Sequence, residues 1–77
     1  MREIKVLGTG CAKCNKLEEL TRQAVAEMGL DARVEKITDI KEILKHNIAL
    51  TPALLVDGEV KIMGKVPVIE DLKKLLI

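Results

Sequence analysis

A chain of 77 residues with no Phe, Tyr or Trp has to build its interior entirely from aliphatic side chains. So short a chain buries only roughly 60–65% of the surface its unfolded form exposes, which leaves a thin margin of stability. Hydrophobic residues make up 48% of the sequence, enough for a core of Leu, Ile, Val, Ala and Met between a sheet and a few helices. The same absence of aromatics removes the stacking surface on which nucleic-acid binders rely. Thirteen Lys+Arg against twelve Asp+Glu leave a net charge of +1, so the basic field such binders need is missing too. No apolar run approaches the ~20 residues of a membrane span. Met1-Arg2-Glu3-Ile4-Lys5-Val6 is too short and too charged to act as a signal peptide. The expectation is one domain over residues 1–77, a cytoplasmic monomer with neither nucleic acid nor membrane as partner.

The hydrophobic pattern orders the elements. Glu3 to Leu7 reads as a first strand, broken by Gly8-Thr9-Gly10. From Lys13 to Met28 the positions Leu17, Leu20, Ala24, Val25 and Met28 form one helical stripe, and Gly29 supplies a left-handed stop. Asp31 to Ile37 suits a second strand at a sheet edge. Thr38 or Asp39 caps a second helix, with Glu42 in capping-box relation to Asp39; Ile40, Ile43 and Leu44 are its expected buried side and Asn47 its stop. Ala53-Leu54-Leu55-Val56 is an unbroken apolar run, as in a strand covered on both faces. Asp57-Gly58 signals a hairpin and is read as a turn only, and Glu59 to Met63 alternates as an edge strand should. Pro67 is placed in the first turn of a last helix whose inward side is Val68, Leu72, Leu75 and Leu76. The order β-α-β-α-β-β-α predicts an α/β fold, a four-stranded mixed sheet covered by three helices.

Cys11-Ala12-Lys13-Cys14 falls where the first strand ends and the first helix begins. Free backbone N–H groups and the positive end of the helix dipole meet there, so a thiolate at Cys11 is favoured and its pKa is expected to fall. Lys13 adds a cation that acts in the same direction. Cys14, one turn further along, is expected to be less exposed and within reach of Cys11. A dithiol so placed can attack a substrate disulfide through Cys11 and be resolved by Cys14. The same spacing also suits Zn or Cu(I), so a non-enzymatic metal or metalloid carrier is the alternative. Heavy-metal-associated domains carry this cysteine spacing after their first strand. They usually have Met where Thr9 stands here, however, and run β-α-β-β-α-β, ending in a strand.

Cys11 and Cys14 after strand one, Thr51-Pro52 about 37 residues after Cys14, and a hairpin-then-helix ending together resemble the thioredoxin superfamily. The chain is most similar to its compact glutaredoxin-like members, the small archaeal and bacterial redox-active disulfide proteins. That resemblance implies a thioredoxin-like fold and thiol-disulfide exchange with protein disulfides, supplied by an upstream reductase. It implies no cofactor beyond the redox-active Cys11–Cys14 disulfide. It also implies that Pro52 is cis and lies against the disulfide, that Thr51 offers backbone hydrogen bonds to an extended substrate segment, and that Gly64 leaves room for the substrate backbone. Thr9-Gly10 stands where thioredoxins carry Trp, Ala12-Lys13 replaces the usual dipeptides, and Gly64-Lys65 replaces the glutaredoxin Gly-Gly.

Overall fold

The structure, a computed structural model, describes residues 1–77. Its elements are β1 (Arg2–Leu7), α1 (Ala12–Met28), β2 (Ala32–Ile37), α2 (Ile40–Lys45), β3 (Ala53–Val56), β4 (Glu59–Met63) and α3 (Ile69–Leu75). The sheet runs β2-β1-β3-β4, with β1 parallel to β2 and β3 antiparallel to both β1 and β4. This is the α/β class, sheet composition and helix number expected, with β2 and β4 at the edges.

Period-two alternation splits the core into two layers. Ile4, Val6, Leu54, Val56 and Ile62 pack with Leu17 and Ala24 of α1, with Leu72 of α3 and with Leu76 at the end of that helix. The intervening Leu7, Ala53 and Leu55 turn to the other side, against Ile43 and Ile48. The central strand β3 is therefore buried at every position, as its unbroken apolar run requires. Thr21, the one polar residue fully inside, donates its hydroxyl to the Leu17 carbonyl at 2.7 Å. Gly29 closes α1 in the left-handed region at φ 61°. No helix is long and apolar enough to cross a membrane.

Five local expectations are corrected. The α2 helix has only six residues, too few for a broad apolar face. Ile43 is buried, but Ile40 and Leu44 stand 60% and 62% exposed. Ile48, beyond the helix, fills the space they were expected to fill. The capping box is half made: the Asp39 carboxylate accepts from the Lys41 N–H, while Glu42 turns forward to Lys45. Pro67 lies before the helix rather than in it, because Val68 is the cap of α3. The extended backbone of Val68 (φ −70°, ψ 158°) takes its side chain off the inward face, and it is largely exposed. In β4 the alternation breaks, since Leu54 pairs with Ile62 but Leu55 with Val60. That bulge turns the strand so that Ile62 alone is buried. Finally, Asp57-Gly58 is more than a turn. Both residues have positive φ, as a type I′ hairpin requires. The Asp57 carboxylate also accepts from the Glu3 N–H at 2.9 Å and from Arg2 at 3.1 Å, which ties the hairpin to β1.

Candidate active site

Leu7, the last residue of β1, pairs with Ala53, the first of β3, so both strands deliver their neighbouring loops to one end of the sheet. On one side the chain passes through Gly8-Thr9-Gly10 to Cys11; on the other it arrives from Thr51-Pro52. The site forms where these loops meet.

Cys11 is the N-cap of α1. Its backbone is extended (φ −69°, ψ 165°) and its Sγ accepts the Cys14 N–H at 3.1 Å. The first helical hydrogen bond runs from the Asn15 N–H to the Cys11 carbonyl at 3.0 Å. A sulfur thus takes the place that a hydroxyl or carboxylate fills in an ordinary cap. Cys11 and Cys14 are joined as a disulfide with their Cα atoms 5.1 Å apart. Cys11 is exposed and Cys14 is fully buried. The cysteine at the helix cap is therefore open to solvent, and its partner is enclosed.

Gly8 holds the buried sulfur in place, a role the sequence does not reveal. It donates its N–H to the Ile37 carbonyl at 2.9 Å, which continues the β1–β2 pairing past the end of β1. A Cβ on Gly8 would overlap Cys14 Sγ and come within 2.7 Å of Cys14 Cβ. Cys14 occupies the volume that any other residue at position 8 would need. Nothing in the local sequence separates this glycine from a simple strand breaker, because its neighbour lies six residues away across the helix entry.

The Thr51–Pro52 peptide bond is cis; Thr51 is exposed and Pro52 buried. The Pro52 carbonyl accepts the Gly64 N–H at 2.8 Å and so secures the loop that follows β4. Gly64 lies against Leu50: a Cβ there would come within 3.2 Å of the Leu50 side chain. Gly64 and Lys13 line one open cavity of about 400 Å³, together with Ala12, Lys16, Lys65 and Val66. The residues singled out from the sequence therefore fall into linked groups. The cysteines are bonded to each other, Pro52 is hydrogen-bonded to Gly64, and Gly64 shares a cavity with Lys13.

The helix that carries the cysteines is anchored by charge. Lys36 of β2 donates to Asn15 Oδ1 at 2.7 Å and lies 3.3 Å from Glu18, which also receives Arg22. Partial burial pushes the Glu18 carboxyl upward, but hydrogen bonds from Arg22 and Lys36 outweigh it, and the group sits below the usual carboxylate range. At the other end of α1, Glu27 accepts from Lys73 of α3 at 2.6 Å and from Gln23 at 2.8 Å; these bonds hold its carboxyl low as well. Both helices on this face are thus fixed relative to the sheet and to each other.

No group of three or more His, Cys, Asp or Glu side chains converges anywhere in the structure. The element order ends in a helix, which sets it apart from the β-α-β-β-α-β order of heavy-metal-associated domains.

Comparison with known proteins points one way. A family model described as a thioredoxin domain matches residues 2–77. The chain is similar to a thioredoxin of Methanothermobacter thermautotrophicus, 49% identical over 76 residues that cover 99% of each chain. It is also similar to a thioredoxin of Methanocaldococcus jannaschii, 40% identical over 71 residues, covering 92% of this chain and 81% of the relative.

Proposed function

The chain belongs to the thioredoxin domain family and is a thiol-disulfide oxidoreductase, and from that premise we propose how its dithiol works. The observation that carries the reading is the asymmetry of the pair, an exposed sulfur at a helix cap bonded to a fully buried one.

In the reduced protein, Cys11 is the nucleophile. The Cys14 N–H that donates to its sulfur, the helix dipole and the nearby Lys13 all favour the thiolate over the thiol. The Cys11 thiolate attacks one sulfur of a substrate disulfide, forms a mixed disulfide and releases the other substrate sulfur as a thiolate. Cys14, deprotonated, attacks Cys11 Sγ and displaces the second substrate sulfur. The substrate gains two electrons and two protons, and the protein is left with the Cys11–Cys14 disulfide. An upstream reductase returns two electrons and two protons by the reverse exchange. The electrons reside in the dithiol throughout, so the reaction needs no bound cofactor.

Thr51 and Gly64 flank the exposed sulfur's end of the sheet and hold the substrate chain in an extended conformation. Thr51 does so with backbone groups on an exposed loop, and Gly64 by having no side chain. Pro52 supports both, through its peptide bond to Thr51 and its carbonyl on Gly64. The partners in this reading are protein disulfides and the reductase. The protein acts as one domain, a monomer in the cytoplasm.

The test is a pair of variants. Cys14→Ser is expected to accumulate mixed disulfides with protein substrates, separable on non-reducing gels and released by thiol. Cys11→Ser is expected to lose turnover entirely. Retained disulfide reduction by Cys11→Ser would overturn the assignment of roles. A redox titration read by alkylation and mass spectrometry is expected to give one two-electron couple between about −320 and −180 mV.

A further inference from the structure

The cavity that Ala12, the neighbour of Cys11, helps to line has an unusual character for a protein whose net charge is only +1: three lysines, Lys13, Lys16 and Lys65, and no acidic residue. The ion pairs of the molecule engage Arg2, Arg22, Lys36, Lys45, Lys61 and Lys73, and none of them uses a cavity lysine. No side-chain hydrogen bond involves these three lysines either. The placement of Lys13 also opposes helix stability. A helix N-terminus favours acids in its first turn. The α2 helix has Glu42 there and α3 has Glu70 and Asp71, whereas α1 has no acid and carries Lys13. Lys65 arrives from a different part of the chain, on the loop held by the Gly64–Pro52 hydrogen bond. Three unpaired cations from two segments thus converge on one concave surface that starts at Ala12, the residue after Cys11.

The occupant is a polypeptide rather than a small anion, because the cationic wall continues into an apolar one. Leu50 packs on Gly64, itself part of the cavity, and remains 61% exposed. An extended segment can cover both, with carboxylates over the lysines and an apolar side chain on Leu50.

Building on the assignment of Cys11 as the attacking group, we infer that Lys13, Lys16 and Lys65 form a subsite for acidic residues flanking the substrate disulfide. The preferred protein substrates carry Asp or Glu beside the exchanging sulfurs.

Single-turnover reduction by the pre-reduced protein tests this with three synthetic peptides of one sequence frame, whose disulfide is flanked by Asp/Glu, by Gln or by Lys. The second-order rate constant is expected to favour the acidic peptide over the Lys peptide by at least about tenfold at ~0.01 M ionic strength. Screening at ~1 M salt should reduce that preference to about twofold. In Lys16→Gln/Lys65→Gln the ratio is expected to fall below about threefold, and in Lys16→Glu/Lys65→Glu the order should invert in favour of the Lys peptide. Inversion is a result that a purely structural role for these side chains would not give. Equal rates for the three peptides with the unmodified protein overturn the subsite alone. If the double variants slow all three peptides by one common factor, the lysines act on Cys11 and the subsite is likewise overturned. Faster reduction of glutathione disulfide than of the acidic peptide overturns the polypeptide assignment. A protein that reduces none of these disulfides overturns the reading of Cys11, and the subsite with it.

Discussion

Gly8→Ala adds one methyl group at a point where the structure has no room for it. The new Cβ would stand 2.7 Å from Cys14 Cβ, and closer still to Cys14 Sγ. Carbon atoms in contact normally keep about 3.5–4.0 Å, so roughly 1 Å of displacement is required. Neither side yields easily. Gly8 is fixed to Ile37 by its N–H, and Cys14 lies on the first turn of α1, fully buried. Overpacking of this kind costs typically about 1–3 kcal/mol, and contact with a Cβ rather than a flexible chain end places this case near the top. Reduced freedom of the unfolded chain gives back about 0.4–1 kcal/mol. The expected net loss is about 2–2.5 kcal/mol, or a fall in Tm of about 8–20 °C for a domain of this size. Far-UV circular dichroism is the assay, because a chain without aromatics gives no fluorescence signal. It should be run on the dithiol form, so that disulfide content does not enter. In a Cys14→Ala background the closest clashing atom is gone, and the cost of Gly8→Ala should fall by about 1 kcal/mol. A Gly8→Ala protein that melts at or above the parent temperature would refute the argument. So would a cost that is the same with and without the Cys14 sulfur.

Other consequences follow from the same packing and charge pattern. Ile43→Ala should cost about 2–4 kcal/mol in chemical denaturation, whereas Ile40→Ala on the same helix should stay within about 0.5 kcal/mol; comparable losses would mean that α2 packs by its other face. Asp57→Ala removes the acceptor for the Glu3 N–H and for Arg2 and should lower stability by about 1–2 kcal/mol, while Asp57→Asn, which keeps an acceptor and tolerates positive φ, should lose less than half of that. Glu27 has a folded pKa below the ordinary 4.5, so its contribution is complete above pH ~4.5 and fades as pH falls through the lower folded value. Glu27→Gln should therefore be less stable than the parent at neutral pH and converge with it in acid, and a stability gap that stays constant down to pH ~2 would show that the Lys73 contact contributes nothing through charge.

Much of this molecule is written in local chemistry. The spacing of the apolar residues located the strands and helices, most firmly α1, whose stripe at 3.6 can be buried in only one way. Gly29 and Asp57-Gly58 marked chain reversals, since few other residues take up their backbone angles. The two cysteines at the strand-to-helix junction announced the reactive centre for the same reason: sequence spacing places them one helical turn apart. What the sequence could not contain are relations across space. That Ile48 rather than Leu44 completes the core layer of Leu7, Ala53 and Leu55 depends on where a six-residue helix lands on the sheet. That Val60 is turned outward depends on a bulge in its partner pairing. Gly8 reads as a strand breaker until Cys14 is seen to fill its missing side chain, and nothing in their spacing along the chain brings Lys16 and Lys65 into one cavity with Lys13. Local sequence determined the elements and the reacting sulfurs, through backbone preference and periodic burial. Only the tertiary structure decided what fills the space around the buried Cys14 and which charges share a cavity, because those depend on contacts between residues far apart in the chain.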